Sequence, residues 1–530
     1  MKTKGRWVFL GALSLISLAA CGSGRQGAAL ERPEGYGNWY EIFVASFSDS
    51  DGDGMGDIRG LIEKLDYLND GDPASNTSLH IDGIWLMPIM PSPSYHKYDV
   101  SDYYAVDPAY GSMADFEALA AACGERGITL IIDLVMNHSS SAHPWFAAAR
   151  EEARQGEGPY LGWYNISDTD VHSTRYYPLD DTGLYYEGAF WEEMPDLNFD
   201  NPAVREEFQK IAAFWLDKGV GGFRLDAVKY LDPDREKSIE ILNWFTGYCV
   251  SLKPGVSIVA EVWSDDAEIM AFYQGGAPSL FNFGLAGAAG VVARAVNHAG
   301  GEDFARNLVR WDLLRSRANP AARDAPFIGN HDTDRPGGFF GADPVKEKLA
   351  AALYLFMPGA PFIYYGEETG MEGAGVDENK RGPMIWSLED KTGQTRGPDA
   401  MTRRWDAPAG VAEQLRDEGS VLRYYIEAIR LKNRYPLIYT GTPALIDGTD
   451  RAVAAFTLSS EGTLSRDGET IALLHNLSGT AQVVTLPGAK RIGGFLRAEP
   501  SETGRPEIRP EIRRGLVEVP AYTMALVELN

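Results

Sequence analysis

Eight short apolar runs recur along the first two thirds of the chain, separated by longer segments with apolar residues at helical spacing. The runs are nearly continuous and rich in β-branched and aromatic residues, which is typical of strands buried on both faces. They cover residues 39–47, 81–89, 128–136, 220–228, 256–263, 279–284, 325–330 and 360–366. Eight strands that alternate with helices predict an α/β fold, a (β/α)8 TIM barrel, better than an open sheet.

The connection between the third and fourth runs differs from the others. Its last part, 201–219, has a helical pattern that begins with an Asn-Pro cap and ends at Gly219. The preceding segment, 139–200, is rich in Tyr, Trp, Gly and Asp and shows little periodicity. A connection of this length is usually a functional insertion, so we predict a separate lobe over the barrel mouth.

After about residue 438 the hydrophobic period changes to two. Alternating stretches bounded by Gly, Asp and Ser predict an antiparallel β-sandwich that packs behind the barrel. The expected domains are therefore the catalytic barrel (36–138 and 201–438), an inserted domain (139–200) and a C-terminal sandwich (439–530).

The N-terminus has the pattern of an export signal. The basic "MKTKGR" precedes the apolar "WVFLGALSLISLAA", which is too short to span a bilayer stably. The run ends in "LAAC", similar to the lipobox of bacterial lipoproteins, where cleavage precedes a cysteine that carries the lipid. We expect a lipoprotein signal peptide (1–20), a lipid on Cys21 and a flexible tether (21–35), with the protein anchored to a membrane facing the periplasm or cell exterior. A secretory signal with a chance cysteine is the alternative.

The charge and the cysteine content exclude some kinds of binding partner and a fold held by disulfide bonds. The chain carries 49 Lys and Arg against 75 Asp and Glu, a formal charge of -26. This charge argues against nucleic acid as a partner, because phosphate backbones need basic surfaces. Separately, we expect a monomer that touches a membrane only through its lipid. After the signal, only Cys123 and Cys249 remain, too few for a disulfide framework. Each lies in a segment of helical character, where a small buried hydrophobe is expected.

Polar residues cluster after the apolar runs, where a parallel barrel places its active site. They are Asp133, Asn137 and His138 (third run), Arg224 and Asp226 (fourth), Glu261 (fifth), and Asn330, His331 and Asp332 (seventh). Cleavage of a glycosidic bond with retention requires one ionised carboxylate as nucleophile and one protonated carboxyl as acid. Arg224, on the same strand face as Asp226, would keep that aspartate ionised. A third acid and neutral histidines would bind sugar hydroxyls and favour an oxocarbenium-like transition state.

Four segments in order resemble the four sequence regions of glycoside hydrolase family 13, the α-amylase family. They are "DLVMNHSS" (133–140), "GFRLDAVKY" (222–230), "AEVW" (260–263) and "FIGNHDTDR" (327–335). The resemblance implies Asp226 as nucleophile, Glu261 as general acid/base and Asp332 as transition-state stabiliser. It also implies substrate-binding roles for Tyr98, as a stacking platform, and for His138, Arg224, Lys229, His331 and Arg381.

Smaller features indicate the activity. "MPDLN" (194–198) is similar to the fifth region of members between oligo-1,6-glucosidases and neopullulanases, while Ala227 and Lys229 favour α-1,4 bonds. The resemblance therefore implies an α-amylase: retaining endo-hydrolysis of starch and maltooligosaccharides by double displacement. A 4-α-glucanotransferase, a neopullulanase or an oligo-1,6-glucosidase would share the same chemistry residues. A non-catalytic glucan-binding lipoprotein is disfavoured, because all three carboxylates are present.

The loop "DSDGDGMGD" (49–57) has acids at alternating positions. It begins like an EF-hand, but it follows a strand, and Gly60 stands where the bidentate Glu is required. Alternating oxygens can still wrap one hard cation, and similar loops bind calcium in this part of the family. We predict a structural Ca²⁺ site formed by the side chains of Asp49, Asp51, Asp53 and Asp57 and the carbonyl of Met55. A second calcium near Asn137, where many α-amylases hold one, stays open, because the inserted segment lacks a matching pattern.

Overall fold

A computed structural model describes residues 35–169, 175–460, 469–499 and 508–529, and eight parallel strands form its central sheet. The strands are Trp39–Ile42, Gly83–Leu86, Thr129–Leu134, Gly222–Leu225, Ser257–Ala260, Ser279–Phe281, Arg323–Ala325 and Phe362–Tyr364. Neighbours in sequence pair in parallel, and the eighth strand pairs with the first. The amides of Ala360 and Phe362 donate to the carbonyls of Asp324 and Pro326, which joins the eighth strand to the seventh. The predicted barrel is confirmed.

Two runs differ from the strands they predict. The first strand ends at Ile42, and Val44–Phe47 forms a helical turn in place of a continued strand. The seventh strand, Arg323–Ala325, lies before most of the predicted run 325–330. Pro326 lacks an N–H to donate, so its carbonyl makes the last contact with the eighth strand, and the following polar residues lie in a loop at the barrel mouth.

Helices follow the barrel strands along the chain, up to residue 440. They are Ile58–Glu63, Leu65–Leu68, Met113–Glu125, Pro202–Asp217, Arg235–Leu252, Asp266–Gln274, Val291–His298, Gly301–Ala318, Pro336–Phe339, Pro344–Leu355, Asp377–Lys380, Val411–Gln414, Val421–Asn433 and Leu437–Thr440, with 3-10 turns at Val228–Tyr230 and Glu367–Thr369. The predicted cap is present, because the Asn201 side chain accepts the Ala203 N–H at 2.9 Å. Cys123 and Cys249 are buried within two of these helices and unpaired, in keeping with small hydrophobic roles.

The segment after the third strand has structure of its own. It holds the helix Pro144–Gln155, which the weak periodicity did not predict, the 3-10 turn Tyr160–Trp163 and a sheet of Ile166–Ser167, Tyr176–Pro178 and Tyr185–Glu187. Its last part returns to the barrel, where His138 pairs with Asp196 and the Leu197 N–H donates to the Asn137 carbonyl at 2.9 Å. The "MPDLN" segment therefore lies beside the end of the third strand.

The C-terminal region is antiparallel, as predicted. One sheet contains Thr442–Leu445, Val453–Ser459, Thr470–Asn476, Arg491–Arg497 and Thr523–Glu528, and the other contains Gln482–Thr485, Glu511–Arg513 and Leu516–Val519. Val453, Leu474 and Val517 belong to a core between the two sheets. Phe456 and Leu473, on the opposite face, join the main core. The sandwich therefore packs on the barrel through its larger sheet.

The N-terminal predictions fall almost entirely outside the part that the structure describes. The signal peptide 1–20, Cys21 and the tether up to residue 34 lie there, so they stay predictions. Within the described residues, none of the helices combines the length and apolar character needed to cross a membrane.

Candidate active site

The three predicted catalytic carboxylates lie in one cleft at the carboxyl ends of the barrel strands. Asp226 directly follows the fourth strand, Glu261 directly follows the fifth, and Asp332 lies in the loop after the seventh. The cleft has a volume of about 690 Å³. Its lining comprises His96, Tyr98, His138, Phe190, Trp191, Met194, Asp226, Ala227, Lys229, Tyr230, Glu261, Trp263, His331, Asp332, Asp377 and Arg381.

The Arg224 side chain lies beneath the cleft and contacts three carboxylates. Its Nη1 lies 2.6 Å from Asp226 Oδ1 and its Nη2 lies 3.1 Å from Glu261 Oε1. Nη1 also donates to both oxygens of Asp133 at 3.0 Å. Arg224 is 1% exposed and lies outside the cleft lining, so its predicted place beside the sugar subsite stays a prediction. A buried guanidinium that binds three carboxylates holds Asp226 and Glu261 in place.

The residue after Asp226 has an unusual backbone. Ala227 adopts φ 48° and ψ 37°, a left-handed conformation that costs a non-glycine residue roughly 1 kcal/mol or more. In this conformation its N–H donates to Glu261 Oε2 at 3.0 Å. The backbone strain after Asp226 therefore helps to position the second carboxyl.

Glu261 is suited to carry a proton at neutral pH. Burial raises its pKa to about 7, and the negative charges of Asp226 and Asp332 act in the same direction, against Arg224. Its neighbour Asp226 lies closer to the same guanidinium, at 2.6 Å against 3.1 Å for Glu261, and forms the tighter charge-assisted pair. The site therefore separates a carboxyl that holds a proton from a carboxylate paired with a cation.

Asp332 lies between two basic groups. Its Oδ2 is 3.1 Å from His331 Nε2, and its Oδ1 is 3.1 Å from Arg381 Nη2. Burial favours the protonated acid, but His331 and Arg381 outweigh it and hold the pKa of Asp332 well below its usual range. Arg381, predicted to contact a terminal sugar, thus binds the Asp332 carboxylate.

The two predicted histidines differ in charge. Burial lowers the pKa of His138. Burial acts in the same way on His331, but Asp332 and Glu41 reverse the effect and raise its pKa to about 10. The expectation of neutral histidines therefore agrees with His138 and is wrong for His331.

Glu41 is a residue that the sequence analysis missed. It lies in the first strand, and its Oε1 is 2.5 Å from His331 Nδ1. The available signal was a single acid inside the otherwise apolar run "WYEIFVASF". A buried acid in a barrel strand requires a partner, but the sequence did not identify it.

The remaining predicted substrate residues line the cleft. The Tyr98 ring stacks on His331, with 5.5 Å between ring centroids, and its hydroxyl donates to Asp133 Oδ2 at 3.0 Å. Lys229 donates its ammonium to the carbonyl of Trp263. Both side chains are therefore held in place by neighbours while they face the cleft.

Trp263 is a second cleft residue that the sequence analysis did not single out. It lies two residues after Glu261 and is 49% exposed in the cleft wall. Its ring stacks on Phe283, with 5.3 Å between ring centroids. An exposed indole supported in this way offers a platform for a sugar ring.

Comparison with known proteins agrees with this geometry. The family description "Alpha amylase, catalytic domain" matches residues 41–441. The chain belongs to the α-amylase family. It is similar to Alpha-amylase 3 of Dictyoglomus thermophilum, 41% identical over 446 residues, which cover 83% of this chain and 84% of that protein. It is also similar to the structure of Eubacterium rectale Amy13B, with a TM-score of 0.85, 36% identity and coverage of 94% and 96%.

Other members of the α-amylase family that match the chain have different activities in their names. The 4-alpha-glucanotransferase of Thermotoga maritima is 30% identical over 475 residues, which cover 85% of this chain and 97% of that protein. Family membership therefore establishes a glycoside-hydrolase type of enzyme acting on glucans, while the exact reaction depends on the site.

The acidic loop of this α-amylase-family chain brings three of its four predicted carboxylates together. One oxygen each from Asp49, Asp51 and Asp57 lies within 4.8 Å of the others. Asp53 lies outside this group, and its carboxylate accepts the N–H of Met55 at 2.7 Å. Three hard oxygen donors on a tight turn fit Ca²⁺, because a divalent cation would offset their repulsion.

The open question of a second cation concerns Asn137. Its amide donates to Asp196 Oδ1 at 2.9 Å, and burial raises the pKa of Asp196 to about 8. Within residues 35–169, 175–460, 469–499 and 508–529, the acidic loop is the only place where three acidic, His or Cys side chains meet closely enough for a metal ion. Within these residues, three such side chains do not meet at Asn137.

Proposed function

We propose that the chain is an endo-acting α-amylase that hydrolyses α-1,4-glucosidic bonds in starch and maltooligosaccharides with retention. The observation that supports this most is the shared contact of Arg224 with Asp226 and Glu261. One carboxylate is paired with a cation at 2.6 Å, and burial favours a proton on the other. Retaining glycosidases require such a difference between two neighbouring carboxyl groups.

The reaction would proceed by double displacement. Glu261 donates its proton to the glycosidic oxygen while an Asp226 oxygen attacks the anomeric carbon, and the bond to the leaving sugar breaks. Glu261 then removes a proton from water, whose oxygen attacks the anomeric carbon and releases Asp226 from the glycosyl ester. The Asp332 carboxylate, ionised beside His331 and Arg381, stabilises the positive charge that develops on the sugar.

The cleft favours a polymer over a single terminal sugar. Trp263 lies close in sequence to Glu261, while Phe190 and Trp191 belong to the inserted segment, and all three are about half exposed in the cleft lining. Exposed rings on different walls provide platforms for sugars beyond the one that is attacked. Neutral His138 can exchange hydrogen bonds with sugar hydroxyls.

Calcium and export belong to the same proposal. Asp49, Asp51 and Asp57 would hold a structural Ca²⁺, with Asp53 and the carbonyl of Met55 as further predicted ligands. The ion would stabilise the loop after the first strand. We further propose an exported, monomeric lipoprotein held by a lipid on Cys21, on the strength of the N-terminal sequence.

The test is the product profile on maltoheptaose, soluble starch, pullulan and isomaltose for the wild type and the variant Asp226→Asn. Asp217→Asn, the same change at an exposed helix end, is the control. We expect internal cleavage with α-configured products from the wild type and the control, and a loss of several orders of magnitude in Asp226→Asn.

Three results would contradict the proposal. Products longer than the donor would indicate a glucanotransferase. Preferred cleavage of isomaltose or pullulan would indicate an oligo-1,6-glucosidase or a neopullulanase. Equal and negligible activity in the wild type and Asp226→Asn would indicate a binding protein.

A further inference from the structure

Glu41 is an acid in the interior of the barrel. It stands opposite Trp85 of the second strand and Tyr364 of the eighth in the strand register, and it is 1% exposed. A carboxylate in such a place is costly unless a cation or strong donor pairs with it. Its Oε1 lies 2.5 Å from His331 Nδ1, so Nδ1 carries a hydrogen that it donates to Glu41.

The other ring nitrogen also carries a hydrogen, as the donors around Asp133 show. Arg224 and Trp85 can only donate, and both point hydrogens at this carboxylate, at 3.0 and 3.3 Å. Burial raises the pKa of Asp133 to about 7, but the Arg224 guanidinium and the Trp85 indole, which converge on it as donors, favour the ionised acceptor. The Tyr98 hydroxyl, 3.0 Å away, therefore gives its single hydrogen to Asp133.

This leaves the Tyr98 oxygen as an acceptor toward His331. Nε2 lies 2.8 Å from that oxygen and 3.1 Å from Asp332 Oδ2. Neither partner supplies a hydrogen to Nε2, so Nε2 donates to both. With a hydrogen on each nitrogen, the ring is an imidazolium between Glu41 and Asp332.

We propose that Glu41 is a positioning residue that acts on the reaction through His331. It fixes the His331 ring as an imidazolium and directs the Nε2–H at Asp332. The inference rests on the proposed hydrolysis at Asp226 and deepens it. If a neutral side chain replaces Glu41, the His331 ring carries only one hydrogen on its nitrogens at pH 7. The ring then has no positive charge beside Asp332, and in the tautomer with its hydrogen on Nδ1 an Nε2 lone pair faces that carboxylate and repels it.

The surroundings of His331 contain few other groups that could replace Glu41. The charged and titratable groups that face the residue are Glu41 from the first strand, Tyr98 from the loop after the second strand, Asp332 from its own loop and Arg381, which donates to the His331 carbonyl at 3.3 Å. Asp133 and Glu261 act on it over a longer distance. Glu41 is therefore the acid that contacts Nδ1.

The test compares Glu41→Gln, Glu41→Asp and the control Tyr40→Phe. Tyr40→Phe removes a buried hydrogen bond to Glu368 from the adjacent strand position, outside the catalytic network. For each protein we would measure kcat on maltoheptaose from pH 5 to pH 8. A second measurement does not depend on activity. It records the ¹⁵N resonances of the His331 ring at pH 8, which are assigned by their absence from the spectrum of His331→Gln.

We expect the ratio of wild-type kcat to Glu41→Gln kcat to rise at least about ten-fold from pH 5 to pH 8, because the variant loses the imidazolium as pH rises. Glu41→Asp retains the charge, so its ratio should stay constant with pH, as should that of Tyr40→Phe. In the wild type, both ring nitrogens should carry hydrogen at pH 8, and in Glu41→Gln only one.

A ratio for Glu41→Gln that does not change with pH would overturn the proposal, because a purely structural role lowers kcat equally at every pH. If Glu41→Gln does not fold, the wild-type resonances decide alone, and a singly protonated His331 at pH 8 would overturn it. A wild type without glucan hydrolysis would refute the proposed function, while the resonances would still report on Glu41 and His331.

Discussion

His475 makes a specific contribution to acid sensitivity. It lies in the strand Thr470–Asn476 of the larger C-terminal sheet, with its ring stacked on Phe456 at 6.0 Å and edge-on to Phe356 of the barrel at 6.4 Å. The residue is 1% exposed, and within the described part of the chain neither ring nitrogen has a hydrogen-bond partner. Protonation would therefore place an unpaired charge at the contact between sandwich and barrel.

The magnitude follows from the pKa. Burial lowers the pKa of His475 from 6.5 to about 3. In the unfolded chain, His475 binds a proton below pH 6.5. In the folded protein, its ring stays neutral down to about pH 3. The free energy of unfolding therefore falls as pH drops through this window, and the loss reaches about 4 kcal/mol at its lower end. At pH 5, roughly 2 kcal/mol is lost.

The variant His475→Phe retains the aromatic contacts and removes the titratable ring. We expect its unfolding free energy, measured by urea titration with tryptophan fluorescence, to fall less than that of the wild type between pH 7 and pH 5, by about 2 kcal/mol. Other buried histidines titrate identically in both proteins, so their effects cancel. His298→Phe, at an exposed helix end, is the control and should retain the wild-type dependence. Parallel curves for the wild type and His475→Phe would refute the reasoning.

Three further predictions concern the loop and the cleft. A chelator should lower the Tm of the wild type at low calcium and leave that of Asp49→Asn unchanged, while Asp53→Asn should retain a chelator effect, because Asp53 lies outside the carboxylate group. Glu261→Gln should lose far more kcat on maltoheptaose than on maltotriosyl fluoride, since fluoride leaves without a proton donor. Trp263→Ala should raise KM for maltoheptaose about two- to ten-fold, the loss of one stacking contact, with less effect on kcat.

The barrel and the catalytic carboxylates were predictable for related reasons. Strands buried on both faces must be apolar along their whole length, so each of the eight left a run in the sequence. Parallel strands end at one edge of the sheet, which places residues such as Asp226 and Glu261 together even though they are distant in sequence. The strand ends were less certain, because Pro326 and the turn at Val44–Phe47 depend on local geometry.

Contacts across the barrel were not predictable. Glu41 and His331 are 290 positions apart, and nothing in either local sequence identifies the other as its partner. The charge of His331 depends on that contact, so the expectation of a neutral ring was wrong. The position of Arg224 below the cleft likewise follows from its burial against Asp133, a residue whose role the strand pattern did not define.

The charges around the cleft have a consequence for the proposed reaction. Four carboxylates face three cations: Glu41, Asp133, Asp226 and Asp332 against Arg224, His331 and Arg381. With Glu261 protonated, the group has one excess negative charge, and it has two once Glu261 has given its proton to the leaving sugar. That increase coincides with the positive charge that develops at the anomeric carbon, so the two stabilise each other in the transition state. If His331 were neutral, the group would have one more excess negative charge before the reaction. That charge would raise the pKa of Glu261 and make its proton harder to transfer.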